Sequence, residues 1–158
     1  MSGTPLPLTL TSLAAAPHLG AAAARLMEET WPDWYGPGGE GNAAEDIARR
    51  SCAESLPCGL AAVTEEGRLA GLVTLDASSH GALAAEGFWM NGLVTDPACR
   101  RQGVADALVA ALEAEAARRG ACEIHSTTVA AGGLLERRGW RKLRQLDDGW
   151  AVYALRLK

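Results

Sequence analysis

The residues with the clearest chemical capacity lie together in Asp96-Pro-Ala-Cys-Arg-Arg-Gln-Gly-Val-Ala105. From Val104 onward, Val104, Ala107, Leu108, Ala111 and Leu112 recur on one helical stripe, so this segment leads into a helix N-terminus. The first amides of a helix have no partners within it, and the helix dipole adds positive potential there. The N–H groups of Gln102, Gly103, Val104 and Ala105 can therefore hold an anion such as a diphosphate. Gly103 and Ala105 keep bulk away from that anion, and Arg100 and Arg101 add guanidinium charge. Taken alone, the same segment also reads as a solvated turn with two arginines; the elements around it decide.

Those elements are legible from apolar spacing and turn residues. Leu6 to Leu13 alternates as a half-buried strand does. Pro17 opens a helix with Leu19, Ala22, Ala23 and Leu26 on one face, ending before Trp31 and Pro32. The stretch from Trp31 to Gly41 is too rich in Pro and Gly for regular structure, yet it holds Trp31, Trp34 and Tyr35. These aromatics either meet a substrate or pack on the domain's own core. Asn42 caps a second helix, paired with Glu45 and running to about Cys52. Gly59 to Thr64 and Leu69 to Leu75 form a hairpin across Glu65-Glu66-Gly67-Arg68.

A strand from Phe88 to Thr95 feeds the anion-binding segment. The strong helix after it stops at Gly120, behind Arg118 and Arg119. A strand at Cys122 to Thr127, a short helix at about Gly133 to Arg138, and strands at Trp140 to Gln145 and Trp150 to Leu157 complete the chain. Asp147 and Asp148 serve the last turn, or draw a cationic amine if that turn borders a site. The order β α α β β β α β α β β, with no internal repeat, predicts one α+β domain over residues 1–158.

Composition narrows the class further. Apolar residues make up 48% and charged residues 22% of the 158, the balance of a folded globular chain. There is no bilayer-spanning run and no basic leader ahead of an apolar core, so the expected location is the cytoplasm. The net charge of −4 argues against nucleic acid as a partner and favours a cationic one. Cys52, Cys58, Cys99 and Cys122 form neither a CxxC pair nor a metal-ligand pattern, and no metal is expected. Cys122 reads as a small buried hydrophobe or as a nucleophile. Two nucleotide-binding signatures are missing: Gly-x-x-x-x-Gly-Lys-Ser/Thr, and a Gly-x-Gly-x-x-Gly opening a first βαβ unit.

Arg100-Arg-Gln-Gly-Val-Ala105 fits Arg/Gln-x-x-Gly-x-Gly/Ala, and here the chain resembles the GNAT superfamily of N-acetyltransferases. The resemblance takes in Leu93-Val-Thr-Asp-Pro97, Gly71 in the hairpin, and Leu134-Leu-Glu-Arg-Arg-Gly-Trp140. It implies the acyl-CoA N-acyltransferase fold, an α/β sandwich with a mixed sheet of about six or seven strands and about four helices. It implies acetyl-CoA, with Leu93, Val94 and Thr95 on the pantetheine arm and the loop amides on the pyrophosphate. The implied reaction is direct attack of a primary amine, of a small molecule or a peptide N-terminus, on the acetyl thioester. That reaction needs a neutral amine, a donor for the developing oxyanion and a proton for the thiolate.

By the same resemblance the Val94 N–H is the oxyanion donor, and Leu135 stands at the cofactor where relatives carry a tyrosine acid. Asn91 occupies the place of a glutamate base in some relatives; it cannot take a proton but can orient the amine or a water. Glu86 is the nearest carboxylate in sequence and the candidate base. His125, in the strand expected to splay from the cofactor strand, reads as structural or as a neighbour of the thioester. His18 and His80 read as helix-start and loop residues.

Trp31-Pro-Asp and Phe88-Trp-Met-Asn-Gly92 are similar to segments of aminoglycoside 6′-N-acetyltransferases, which implies acceptor contacts from Trp31, Trp34, Tyr35 and Trp89. Family members often pair through edge strands, so a homodimer is implied as well. The other reading is a non-catalytic acyl-CoA-binding regulatory module.

Overall fold

A computed structural model describes residues 6–157. The elements are β1 (Leu8–Ser12), α1 (Gly20–Thr30), α2 (Pro32–Tyr35), α3 (Ala43–Arg50), β2 (Cys58–Thr64), β3 (Leu69–Asp76) and β4 (Trp89–Thr95), then α4 (Val104–Arg118), β5 (Glu123–Thr128), α5 (Gly132–Arg137), β6 (Arg141–Gln145) and β7 (Ala151–Arg156). The seven strands make one mixed sheet in the order β1-β2-β3-β4-β5-β7-β6. Strands β2 and β3 are buried almost throughout, which is why both read as unbroken apolar runs. They feed two cores. On one face Val73, Leu75 and Met90 pack under Val104, Leu108 and Leu112 of α4. On the other, Ala61, Leu72 and Val94 pack under Leu19, Ala23, Met27 and Ile47.

The expected capping of α3 is present: Asn42 Oδ1 accepts the Glu45 N–H at 3.0 Å. Two expectations need correction. The buried stripe of α1 is Leu19, Ala23, Leu26 and Met27, so Ala22 faces outward. The segment after Trp31 is not wholly irregular, because Pro32, with its φ already fixed, starts the short helix α2.

Two features shape the centre of the sheet. Gly71 in β3 sits where α4 comes down on the sheet; a Cβ there would lie 2.9 Å from both Val104 Cγ1 and Leu108 Cδ1 and 2.7 Å from the Val94 carbonyl oxygen. This close approach fixes the first turn of α4. In β4, Leu72 pairs with Val94 but Thr74 pairs with Asn91, so Gly92 and Leu93 together oppose Val73. That is a β-bulge, and Gly92 makes it with φ of +61°, a value that side chains disfavour. Beyond the bulge β4 leaves its parallel neighbour: β4 and β5 pair only at Trp89 opposite His125 and Met90 opposite Ser126. The sheet opens there, between its two halves.

Candidate active site

Two cavities meet in this opening. The first, about 640 Å³, runs from Leu93 and Thr95 to the start of α4. Gly103 is the helix N-cap, with φ of +82° and no side chain capping the amides. The first intrahelical bond is from Ala107 N–H to the Gly103 carbonyl, so among the described residues the amides of Gln102 to Asp106 have no protein partner. A Cβ on Gly103 would meet nothing within 4 Å, so the cradle is open space. Arg100 and Arg101 are exposed, border this cavity and form no ion pair among the described residues. Arg137 joins them, a cation that sequence reasoning passed over. Asp106, the one acid lining this cavity among the described residues, pairs with Arg138 at 3.0 Å. Arg138 also grips Glu113 at 2.9 Å, which ties α5 to α4 and raises the guanidinium pKa through that hydrogen bond.

Helix α5 presents Leu134 to the cavity and turns Leu135 into the core, fully buried. Leu135 is therefore not a wall of this site; adjacent helical positions differ by about 100°. Val94 is a second correction. Asp96 N–H donates to the Ala70 carbonyl at 2.8 Å, and the antiparallel alternation makes Leu72 and Val94 the next hydrogen-bonded pair. The Val94 amide thus faces β3, and those of Leu93 and Thr95 face the opening.

The second cavity, about 570 Å³, shares Trp31, Leu93, Ala130 and Ala131 with the first. Asn91 lines it, its Nδ2 donating to Asp76 Oδ2 at 3.3 Å and to the Ser78 carbonyl at 3.2 Å. Its Oδ1 has no partner among the described residues. At the rim His80 Nε2 lies 2.5 Å from Asp148 Oδ2, with the Trp150 ring edge-on at 6.1 Å. The Trp150 N–H, first, and then His80 hold the Asp148 carboxyl below its ordinary range. Asp148 Oδ1 accepts the Trp150 N–H at 3.1 Å, so the carboxylate serves the final turn while its other oxygen meets His80. Sequence reasoning missed His80 because its partner is 68 residues away.

Glu86 and Trp89 do not belong to these cavities. Trp89 is fully buried, its indole N–H donating to the Glu86 carbonyl at 2.8 Å, so it makes no acceptor contact. Glu86 binds Arg144 through both oxygens, and chiefly for that reason its pKa falls to about 2. A carboxylate so held is too weak a base for an amine and is removed from that role. His125 is 4% exposed, stacks on Trp89 at 5.2 Å, and sits at the β4–β5 junction, which is a structural placement. Trp31 lines both cavities, Trp34 is half exposed, and the Tyr35 hydroxyl donates to Asp46 at 2.5 Å. Cys122 is exposed rather than buried and borders neither cavity. Among the described residues no helix is long and apolar enough to cross a membrane, and no three His, Cys, Asp or Glu side chains gather as a metal site requires.

Solved structures share this architecture. The chain is similar to an aminoglycoside 6′-N-acetyltransferase complexed with coenzyme A (19% identity, 94% of this chain and 96% of that one, TM-score 0.76). It is similar to the aminoglycoside 6′-N-acetyltransferase from Enterococcus faecium (20% identity, 94% and 96% covered, TM-score 0.74). It is also similar to an acetyltransferase of the GNAT family from Staphylococcus aureus Mu50 (11% identity, 96% and 100% covered, TM-score 0.70). At these identities the likeness is one of fold. Comparison with curated proteins finds no match. Residues 23–140, well over half the chain, match the family model described as "Acetyltransferase (GNAT) family", and with the opened sheet and uncapped α4 in view, the chain belongs to that family.

Proposed function

We propose that this chain is an acyl-CoA-dependent N-acetyltransferase, moving the acetyl group of acetyl-CoA to a primary amine of a small molecule or a peptide N-terminus. One observation carries the reading: a cavity built for an anion and a polar cleft share the walls Trp31, Leu93, Ala130 and Ala131 at the break between β4 and β5. Acetyl-CoA, when bound, would supply the phosphates and the thioester. The residues present fit it. The unpartnered amides from Gln102 to Asp106 and the charges of Arg100, Arg101 and Arg137 suit its phosphates. The outward amide of Thr95 suits a carbonyl of the pantetheine arm, with Leu134 as an apolar wall.

The Leu93 N–H, on the open side of the bulge, stabilises charge developing on the acetyl oxygen. Asn91 Oδ1 accepts one N–H of the incoming amine and aims its lone pair, while Asp76 and Ser78 fix the amide from behind. His80, steered by Asp148, takes the proton that the attacking nitrogen loses, and that proton is the one needed by the thiolate released when the thioester C–S bond breaks.

The test is turnover: the purified chain with acetyl-CoA and a broad panel of primary amines, reading free thiol and the acetylated product by mass. Coenzyme A binding without thiol release or product, across the panel, overturns the transferase in favour of an acyl-CoA-binding module. A second reading takes an aminoglycoside as the acceptor, supported by the described activity of two structural neighbours. Kanamycin in the same panel tests it.

A further inference from the structure

Past Gly92 the acceptor cleft continues into a smaller cavity of about 300 Å³, bounded by Met27, Trp31, Trp34, Tyr35 and Arg50. Trp31 and Gly92 belong to both. Arg50 is the last residue of α3 and is half-buried beneath the bulge; its Nη1 would lie 3.3 Å from a Cβ on Gly92. Among the described residues no carboxylate lies within ion-pair distance of it, and Nη1 points at the Met27 sulfur 3.7 Å away. The surrounding charges are committed elsewhere. Asp46 is held by Arg49 and by the Tyr35 hydroxyl. Asp76 accepts from Asn91 Nδ2 and from the Ala77 N–H. Burial outweighs the pull of Tyr35 and Asp76, so the guanidinium pKa is lowered. A cation drawn partly out of water with donors left over is half of an ion pair.

The rest of the cleft points the same way. Among the described residues no carboxylate lines either part of it. Asp148 at the rim has His80, and Asp76 stands behind Asn91. A polycationic acceptor would meet no carboxylate among the residues that line the cleft.

Resting on the transferase reading above, we propose that the acceptor is a compact amine that also bears a carboxylate, as a free amino acid does. Arg50 receives the carboxylate and Asn91 receives the amine. Asn91 and Gly92 are neighbours on β4, so both ends of one small molecule reach their partners across the bulge. The planar guanidinium matches a carboxylate with two parallel hydrogen bonds, and the rings of Trp31, Trp34 and Tyr35 suit an apolar side chain.

The experiment compares kcat/KM for a set of L-amino acids, the corresponding amino amides and kanamycin, with acetyl-CoA in saturation. Amides carry the more weakly basic and therefore more neutral amine at pH 7, so reactivity alone favours them. A preference for the acids reports recognition of the carboxylate. The acids are expected to exceed the amides by at least about tenfold, the worth of one charge-assisted contact. Arg50→Gln should collapse that ratio to one or below, chiefly through KM, and Arg50→Lys should keep part of it. Amides or kanamycin turned over as well as the acids, or an unchanged ratio in folded Arg50→Gln, overturns the proposal. Should Arg50→Gln fail to fold, the wild-type ratio decides. Should no amine of any class release thiol, the transferase reading falls first and takes this one with it.

Discussion

Arg144 closes on Glu86 from two sides, Nη1 donating to Oε2 at 2.9 Å and Nη2 to Oε1 at 2.6 Å. The pair joins the loop before β4 to edge strand β6, and the Leu83 N–H adds a third bond to the carboxylate at 2.9 Å. Since the carboxyl pKa falls from 4.5 to about 2 on folding, the pair stabilises the fold fully above pH 4.5. That contribution disappears as pH drops through the folded value. Glu86→Gln should cost roughly 1–3 kcal/mol at neutral pH and flatten the loss of stability between about pH 4.5 and 2. Urea melts across that range, wild type against variant, check it.

His80→Gln should lose about 10²-fold in kcat/KM at neutral pH, within the usual range for a general base. Asp148→Asn should lose less, since its part is to orient the ring. Rates with one amine, wild type against both variants, decide.

Gly103→Glu sets negative charge and bulk in the α4 cradle and should weaken coenzyme A binding by at least about tenfold, read by calorimetry. Because Gly103 has φ of +82°, a lesser penalty also falls on the fold, about 1–2 kcal/mol. Gly103→Ala carries the same strain without the charge. A binding loss in Glu but not in Ala separates electrostatics from geometry.

At Gly71 the expectation is mechanical. Gly71→Val drives side-chain atoms toward Val104, Leu108 and the Val94 carbonyl, and should cost about 1–3 kcal/mol by overpacking. Coenzyme A affinity should fall with it, as the first turn of α4 is displaced. Melting temperature and calorimetry on one preparation test both halves.

The strands and main helices were legible because each is written in a local period: alternation in β1, unbroken apolar runs in β2 and β3, a single stripe in α4. The anion cradle was legible for the same reason, since a helix start with glycine and arginines is one contiguous segment. The pairings were not. Glu86 meets Arg144 58 residues on, His80 meets Asp148 68 residues on, and Arg50 meets β4 only through the fold. Sequence proximity made Glu86 a base, where tertiary pairing made it a tie. Leu134 and Leu135 differ by one position, and only the seating of α5 on α4 decides which is wall and which is core. Asn91-Gly92 within a strand was the available sign of the bulge, for a lone glycine there marks irregular pairing.

Trp31 borders all three compartments, toward α4, toward Asn91 and toward Arg50. A single indole is thus a common partition, and its torsion angles set the dimensions of every chamber together. Widening one room by turning that ring narrows another, so on the proposed transferase reading the choice of donor is tied to the choice of acceptor.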